Sequence, residues 1–295
     1  MNNKTEILIS DLTACQPAEA ISDRWAPGCW CKVDYELEDG TRGVMLYAEP
    51  KHHAAELTLK LNVSGPYKIF VGVNYIFQNY LNGHTDRLVE FDYGAVWLKL
   101  SGDRGFSRFG MEKYDLHAKG KYPDKVLPEK STKESFSAIY ETYWKTADLT
   151  GQSLIISPPK APYDNEYYRQ VANISYIRLV PASEEDLSLD SAAAPKPSTR
   201  NMAAIWCTGV LSGHTSGQEM YHPVDRQWFE NEFEPFRNSD FGIFCFEAMR
   251  GNLCLFRTKT GDVGTWDKSW HPEWVDPLAE FASLAHESGM KVFAS

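Results

Sequence analysis

Tyr67, Ile69, Val71, Val73, Tyr75 and Phe77 alternate with small or polar residues. A period of two predicts a half-buried strand with one face on a core. Leu57, Leu59 and Leu61 repeat the pattern, as do Val96, Leu98 and Leu100. Ile174 to Val180 reads as one further strand, with Ile177 and Leu179 on one face. Turn signals separate these runs: Asp39-Gly40, Ser64-Gly65-Pro66, Asn82-Gly83, Gly102-Asp103 and Thr150-Gly151. No amphipathic helix pattern interrupts the region from about Cys29 to Val180. Many short strands with turns between them predict an antiparallel jelly-roll β-sandwich over residues 1–182. Within it, Lys113 to Lys133 is charged, carries Pro123 and Pro128, and reads as a long loop.

The pattern changes after Pro181. Residues 183–200 are acidic, then small and Pro-rich (Ser191-Ala192-Ala193-Ala194-Pro195-Lys196-Pro197-Ser198), which predicts a linker. Ala203 to Gly209 reads as a buried strand. Phe229, Phe233 and Phe236 fall at i, i+4 and i+7 and predict a helix starting from Pro223. Phe241 to Phe246 reads as a second buried strand. Asp276 then suits an N-cap and Pro277 the first helical position. Leu278, Phe281, Ala282 and Ala285 form an apolar stripe, and Gly289 suits the helix stop. Met290 to Ala294 reads as a third strand. Strand and helix alternate, and the strands lack polar alternation, as in a parallel sheet covered on both faces. The expected fold class is therefore multidomain: a β-sandwich, then the first three strands of an incomplete TIM (β/α)8 barrel over residues 201–295. A parallel sheet that ended on a third strand would leave an apolar edge unpaired. The sequence is accordingly expected to be the front portion of a longer protein.

A formal charge of -10 argues against nucleic acid, whose phosphates reward Lys and Arg. No run approaches the roughly 20 apolar residues of a membrane span. Ile7-Leu8-Ile9 is too short for a signal-peptide core, so a cytoplasmic location is the default expectation. The cysteines Cys15, Cys29, Cys31, Cys207, Cys245 and Cys254 show no zinc spacing and no CxxC, and read as reduced, mostly buried thiols. No phosphate loop, HExxH, GxSxG or dinucleotide fingerprint is present. Neither a cofactor nor a metal is expected. Aromatic residues make up 13% of the chain, with 9 Trp and 15 Tyr. Such rings suit sugar stacking, and sandwich cores use them as well.

In β/α barrels the working residues sit at the carboxyl ends of strands and in the loops that follow. That rule selects Trp206 and His214 after the first strand, and Glu247 and Arg250 after the second. It also selects Asp267 and Trp270 in the long loop Ala248 to Glu273. Indole rings can stack on a pyranose face while carboxylate and guanidinium groups bind hydroxyls. Each has a structural alternative. Trp206 also suits barrel packing, His214 a surface loop, Trp270 a loop pin, and Glu247 an ion pair with Arg250. A second possibility puts binding on the sandwich, with Trp30, Tyr75 and Trp97 as a platform. Glycoside hydrolysis needs two carboxyl groups flanking the bond, and the sequence offers no convincing pair.

The runs Trp274-Val275-Asp276-Pro277-Leu278-Ala279-Glu280-Phe281 and Leu284-Ala285-His286-Glu287-Ser288-Gly289-Met290-Lys291-Val292-Phe293-Ala294 resemble an early helix–strand unit of bacterial glycoside-hydrolase-like (β/α)8 barrels. The stretch Asn173 to Pro181 resembles the end of the β-sandwich that precedes such barrels. The resemblance implies a glycoside hydrolase parent acting on an oligosaccharide or polysaccharide. It also implies that the catalytic carboxylates come from later strands, so that this chain alone is inactive. A non-catalytic carbohydrate-binding protein and a barrel sugar isomerase or lyase are the alternatives.

Overall fold

The computed structural model describes residues 5–36, 40–48, 53–76, 96–109, 137–159, 172–192, 202–206, 225–237, 239–250, 253–254, 256–259, 262–263 and 276–295. They fall into two compact units. The first lies within Met1–Asp103, Arg108–Lys160 and Asn165–Asp190, and the second comprises Arg104–Ser107 and Ser191–Ser295.

Three four-stranded sheets build the first unit, with strands numbered in chain order. One runs β1 (Ile7–Ile9), β12 (Tyr176–Pro181), β6 (Pro66–Ile76), β9 (Ser137–Asp148). Another runs β5 (Leu57–Lys60), β10 (Ser153–Ser157), β7 (Val96–Leu100), β8 (Ser107–Phe109). The third runs β11 (Ala172–Ile174), β4 (Arg42–Ala48), β3 (Trp30–Glu36), β2 (Ile21–Ser22). Alternation decides what goes inward. Tyr67, Ile69, Val71 and Val73 of β6 are buried in one cluster with Leu57, Leu59, Leu98, Ile177 and Leu179. Gly65 and Gly151, at φ +88° and +71°, take the left-handed conformations that their turns demand.

The run Ile174 to Val180 is two strands rather than one. Ile174 pairs with Leu46 in one sheet, whereas Tyr176 pairs with Gly72 in another. Ser175 makes the crossing, buried, with its N–H donating to Gly72 O at 2.8 Å. Its carbonyl accepts from the Tyr35 hydroxyl at 3.2 Å. A chain that switches sheets keeps its apolar composition, so the break leaves no hydropathy signal.

A helix, α1 (Glu184–Ala192), occupies the start of the segment that reads as a linker. Ser183 and Asp186 form a reciprocal cap. Ser183 N–H donates to Asp186 Oδ2 at 2.9 Å, and Asp186 N–H donates to Ser183 Oγ at 3.0 Å. Lys68 Nζ lies 2.8 Å from Asp186 Oδ1.

In the second unit, β13 (Met202–Trp206), β14 (Phe241–Phe246) and β18 (Lys291–Ala294) form a parallel sheet in that order. Helices α2 (Arg226–Phe233) and α3 (Pro277–Glu287) lie between them in sequence. Ala204, Phe244 and Phe246 share a buried cluster with Trp228, Phe229 and Phe233 of α2 and with Phe281 and Leu284 of α3. Edge-to-face rings fill it, Phe229 and Phe281 at 5.0 Å and Phe233 and Phe244 at 5.4 Å. Among the described residues the opposite sheet face is open, with Ile205 and Phe293 72% and 56% exposed. α2 starts at Arg226, capped by the Asp225 carboxylate accepting from Trp228 N–H at 2.9 Å. Pro223, the start expected from sequence, lies outside the described residues. Within the long loop after β14, β15 (Met249–Arg250), β16 (Leu253–Cys254) and β17 (Asp262–Val263) form a small sheet in that order.

Candidate functional site at the strand ends

The parallel register brings Trp206, Phe246 and Ala294 side by side at the carboxyl end of the sheet. Glu247 is the next residue, half-buried just past the strand. Its backbone position is fixed on both sides. Ser295 N–H donates to Phe246 O at 3.0 Å, and the N–H groups of Ala248 and Met249 donate to Ser295 O at 2.7 and 3.1 Å. Ala248 is buried in the helix-covered cluster, which anchors the chain beyond Glu247. Arg250 follows in β15 and pairs with Leu253 of β16. The structure therefore gathers Trp206 and Glu247 at one strand end and puts Arg250 three residues along the same segment. His214, Asp267 and Trp270 lie outside the described residues.

A second polar cluster, on α2 and α3, was not picked out by the sequence. Glu230 is buried, and its carboxylate meets three guanidinium groups. Arg104 Nη2 lies at 2.7 Å, Arg226 Nε at 3.3 Å and Arg237 Nη2 at 2.5 Å. Arg104 also pairs with Glu287 at 2.7 Å, and Arg226 with Glu280 at 2.5 Å. The hydrogen bond from Arg104, then one from Ser283, holds the Glu287 carboxyl below the usual range. Arg104 is correspondingly raised, first by Glu287 and then by Glu230. A carboxylate lowered this way, as Glu287 is, holds structure and is a poor proton donor at neutral pH. The one local signal in the sequence is the Arg226–Glu230 spacing of four on a helix. The partners Arg104 and Glu287 are distant in sequence, and no local rule connects them.

Among the described residues the aromatic platform expected on the sandwich does not form. Trp30 is fully buried, and its indole N–H donates to Ala55 O at 2.8 Å. Trp97 is buried too, with the Arg108 guanidinium 4.7 Å from its ring centroid. Both serve the interior, where large rings bury the most area. The side chain of Tyr75 is outside the described set. Among the described residues no three His, Cys, Asp or Glu side chains gather into a metal-binding group. No helix among them is long and apolar enough to cross a membrane.

No protein-family model matches the chain, and no curated protein matches it. Among solved structures it is similar to the CBM51-2 and INT domains of Clostridium perfringens ZmpB. That likeness has 8% identity and a TM-score of 0.24, over 58% of this chain and 31% of that one. It is also similar to an α-L-fucosidase from Vibrio sp. strain EJY3, with 12% identity and a TM-score of 0.20, over 46% of this chain and 20% of that one. A ruminal GH26 endo-β-1,4-mannanase gives 9% identity and a TM-score of 0.22, over 83% of this chain and 41% of that one. The chain thus spans well under half the length of each of these proteins. Likenesses this low fix neither a fold nor an activity.

Proposed function

We propose that the chain belongs to a carbohydrate-active protein, a jelly-roll sandwich joined to (β/α)8-type units, and that its second unit receives a sugar at the carboxyl ends of β13, β14 and β18. The observation that carries the reading is Glu247. It is a half-buried carboxylate directly past a central parallel strand, beside the end of the strand that Trp206 closes. Parallel β/α architectures put ligands at that edge. A carboxylate there can accept hydrogen bonds from sugar hydroxyls, and an indole can cover an apolar ring face. Hydrolysis of an O-glycosidic bond is the reaction proposed for the whole protein. It needs a partner carboxyl about 5–10 Å from Glu247, and the described residues assign none.

Calorimetric titration with a panel of neutral oligosaccharides tests the site. Trp206→Ala and Glu247→Gln are each expected to weaken binding tenfold or more while far-UV circular dichroism stays unchanged. Equal affinity in both variants and the parent protein would remove the strand ends as the sugar site.

A further inference from the structure

The face of the sheet β1-β12-β6-β9 turned away from the main core carries a second row of chemistry, open at its two ends and covered beside Arg178, where Tyr176 packs with Tyr35, Met45 and Tyr47. Register places Leu8 opposite Arg178, Arg178 opposite Phe70, and Phe70 opposite Tyr143, so one line of four residues crosses all four strands. Their neighbours Ile7, Ile9, Ile177, Leu179, Ile69 and Val71 pack into the core. Alternation therefore turns Leu8, Arg178 and Phe70 outward. Tyr143 meets Phe70 edge-to-face at 5.5 Å and is 44% exposed, while Leu8 at the other end is 40% exposed. At a strand spacing of about 4.8 Å the row is about 14 Å long.

The middle of the row sets a guanidinium beside an aromatic ring and is electrically balanced. The Arg178 guanidinium lies 4.2 Å from the Phe70 ring centroid. Arg178 Nε donates to Glu141 Oε2 at 2.7 Å, Nη2 also donates to Glu141, and Nη1 lies 3.4 Å from Glu6. Lys68, outward on the same strand as Phe70, is matched as well, with Asp186 at 2.8 Å. A phosphate, sulfate or uronate would find each of these charges already answered by a carboxylate. A neutral ligand meets no such obstacle. The surface alternates apolar patches (Leu8, Tyr143) with a fork of donors and acceptors (Arg178–Glu141). A chain of neutral sugars has matching alternation, C–H faces beside hydroxyls. A protein partner would favour an uncharged apolar centre, and here the centre carries the Arg178–Glu141 ion pair.

We infer that the Leu8–Arg178–Phe70–Tyr143 row is a binding surface for a linear neutral polysaccharide, separate from the strand-end site. Affinity electrophoresis of the full chain tests it, through gels containing soluble β-glucan, glucomannan or xylan, with polygalacturonate as the anionic comparison. Retardation is expected in at least one neutral gel. It should fall at least fivefold in Tyr143→Ala and, at the other end of the row, in Leu8→Asp. Thermal melts of both variants establish that they are folded, and each reports separately if the other does not fold. Cys29→Ser, outside both the row and the strand ends, should leave retardation unchanged, and failure of the strand-end reading would show separately, as unaltered oligosaccharide affinity in Trp206→Ala and Glu247→Gln. The inference is overturned by free migration in all neutral gels, by retardation confined to polygalacturonate, or by retardation that both folded variants retain.

Discussion

Gly72 leaves the space that the ring of Tyr176 fills. The two are direct partners across β6 and β12, and a Cβ at position 72 would lie 2.5 Å from a ring carbon of Tyr176. The ring itself is enclosed, forming a small cluster with Tyr35, Met45 and Tyr47. Burial raises the hydroxyls of Tyr176, Tyr35 and Tyr47 above their ordinary titration range. Gly72→Ala should therefore cost about 1–3 kcal/mol through overpacking, since the ring cannot swing into water without exposing the cluster. Urea unfolding followed by tyrosine fluorescence would measure it. A midpoint equal to that of the parent protein would mean that the ring has another place to go.

Much of this architecture is legible in the chain because local patterns state it. The stretch Tyr67 to Val73 announces β6 by strict alternation, and the three inward leucines 57, 59 and 61 are buried as that period requires. Asp276, Pro277 and Gly289 bracket α3, with Gly289 at φ +73°. What stays hidden depends on contacts distant in sequence. The switch at Ser175 divides one apolar run between two sheets. The Arg104 and Glu230 pair joins positions 126 residues apart. Trp30 and Trp97 read equally well as core or as platform, because composition does not report which face a strand turns inward. The Ser183–Asp186 cap was readable, as a hydroxyl three residues before a carboxylate, but the Pro-rich stretch beyond it dominated. At the strand ends, Glu247 stands out in the sequence because a carboxylate directly after a buried apolar strand is costly unless it is partnered.

Asp276 holds two chain segments with one carboxylate. Oδ1 accepts from Ala279 N–H at 3.0 Å, capping α3, and Oδ2 accepts from Arg257 N–H at 2.9 Å. Asp276→Ala should cost about 2 kcal/mol, roughly one for the cap and one for the loop bond. Asp276→Ser should recover the cap alone. Hydrogen exchange would separate the two effects. The Arg257 amide should gain exchange in both variants, and the first turn of α3 only in the alanine form.

Removing the Glu230 carboxylate would leave Arg104, Arg226 and Arg237 facing one another around a buried amide. Arg237 is mostly buried, while Arg104 and Arg226 are half in water and partly screened. Glu230→Gln should therefore destabilise by about 2–3 kcal/mol, below the full cost of an uncompensated interior charge. Thermal unfolding in low and high salt would check it. The loss should shrink as salt rises, because added ions screen the repulsion among the arginines. A loss independent of salt would point to packing in place of charge.

Acid should loosen the protein through two particular carboxyls. Lys68, then the Ser183 cap, holds Asp186 far below its ordinary value, and Arg104 with Ser283 lowers Glu287. Folding depresses both, so the unfolded chain binds more protons in acid. Their contributions are complete above the ordinary carboxylate range near pH 4 and are lost as the pH falls through the depressed folded values. Urea midpoints should stay level from neutral pH down to about 5 in this respect and then decline. Asp186→Asn should flatten part of that decline, at the expense of stability at neutral pH. An unchanged acid slope in Asp186→Asn and Glu287→Gln together would show that other groups set it.

Cys15 and Cys29 should differ sharply toward thiol reagents. Cys15 is fully buried, and burial, with Asp11 nearby, pushes its thiol up to about 12. Cys29 is half-exposed, its thiol directed toward Glu19 O at 3.5 Å. Because the thiolate is the reacting form, Cys15 should stay unmodified at pH 8 in the folded protein, and Cys29 should react. Mass mapping after brief iodoacetamide treatment, with and without urea, would read this directly. Raising the pH to 9 should leave Cys15 silent, since that pH is still far below the raised value. Modification of Cys15 at a rate matching Cys29 without denaturant would mean that the interior around Leu12 and Trp30 opens readily, contrary to their full burial.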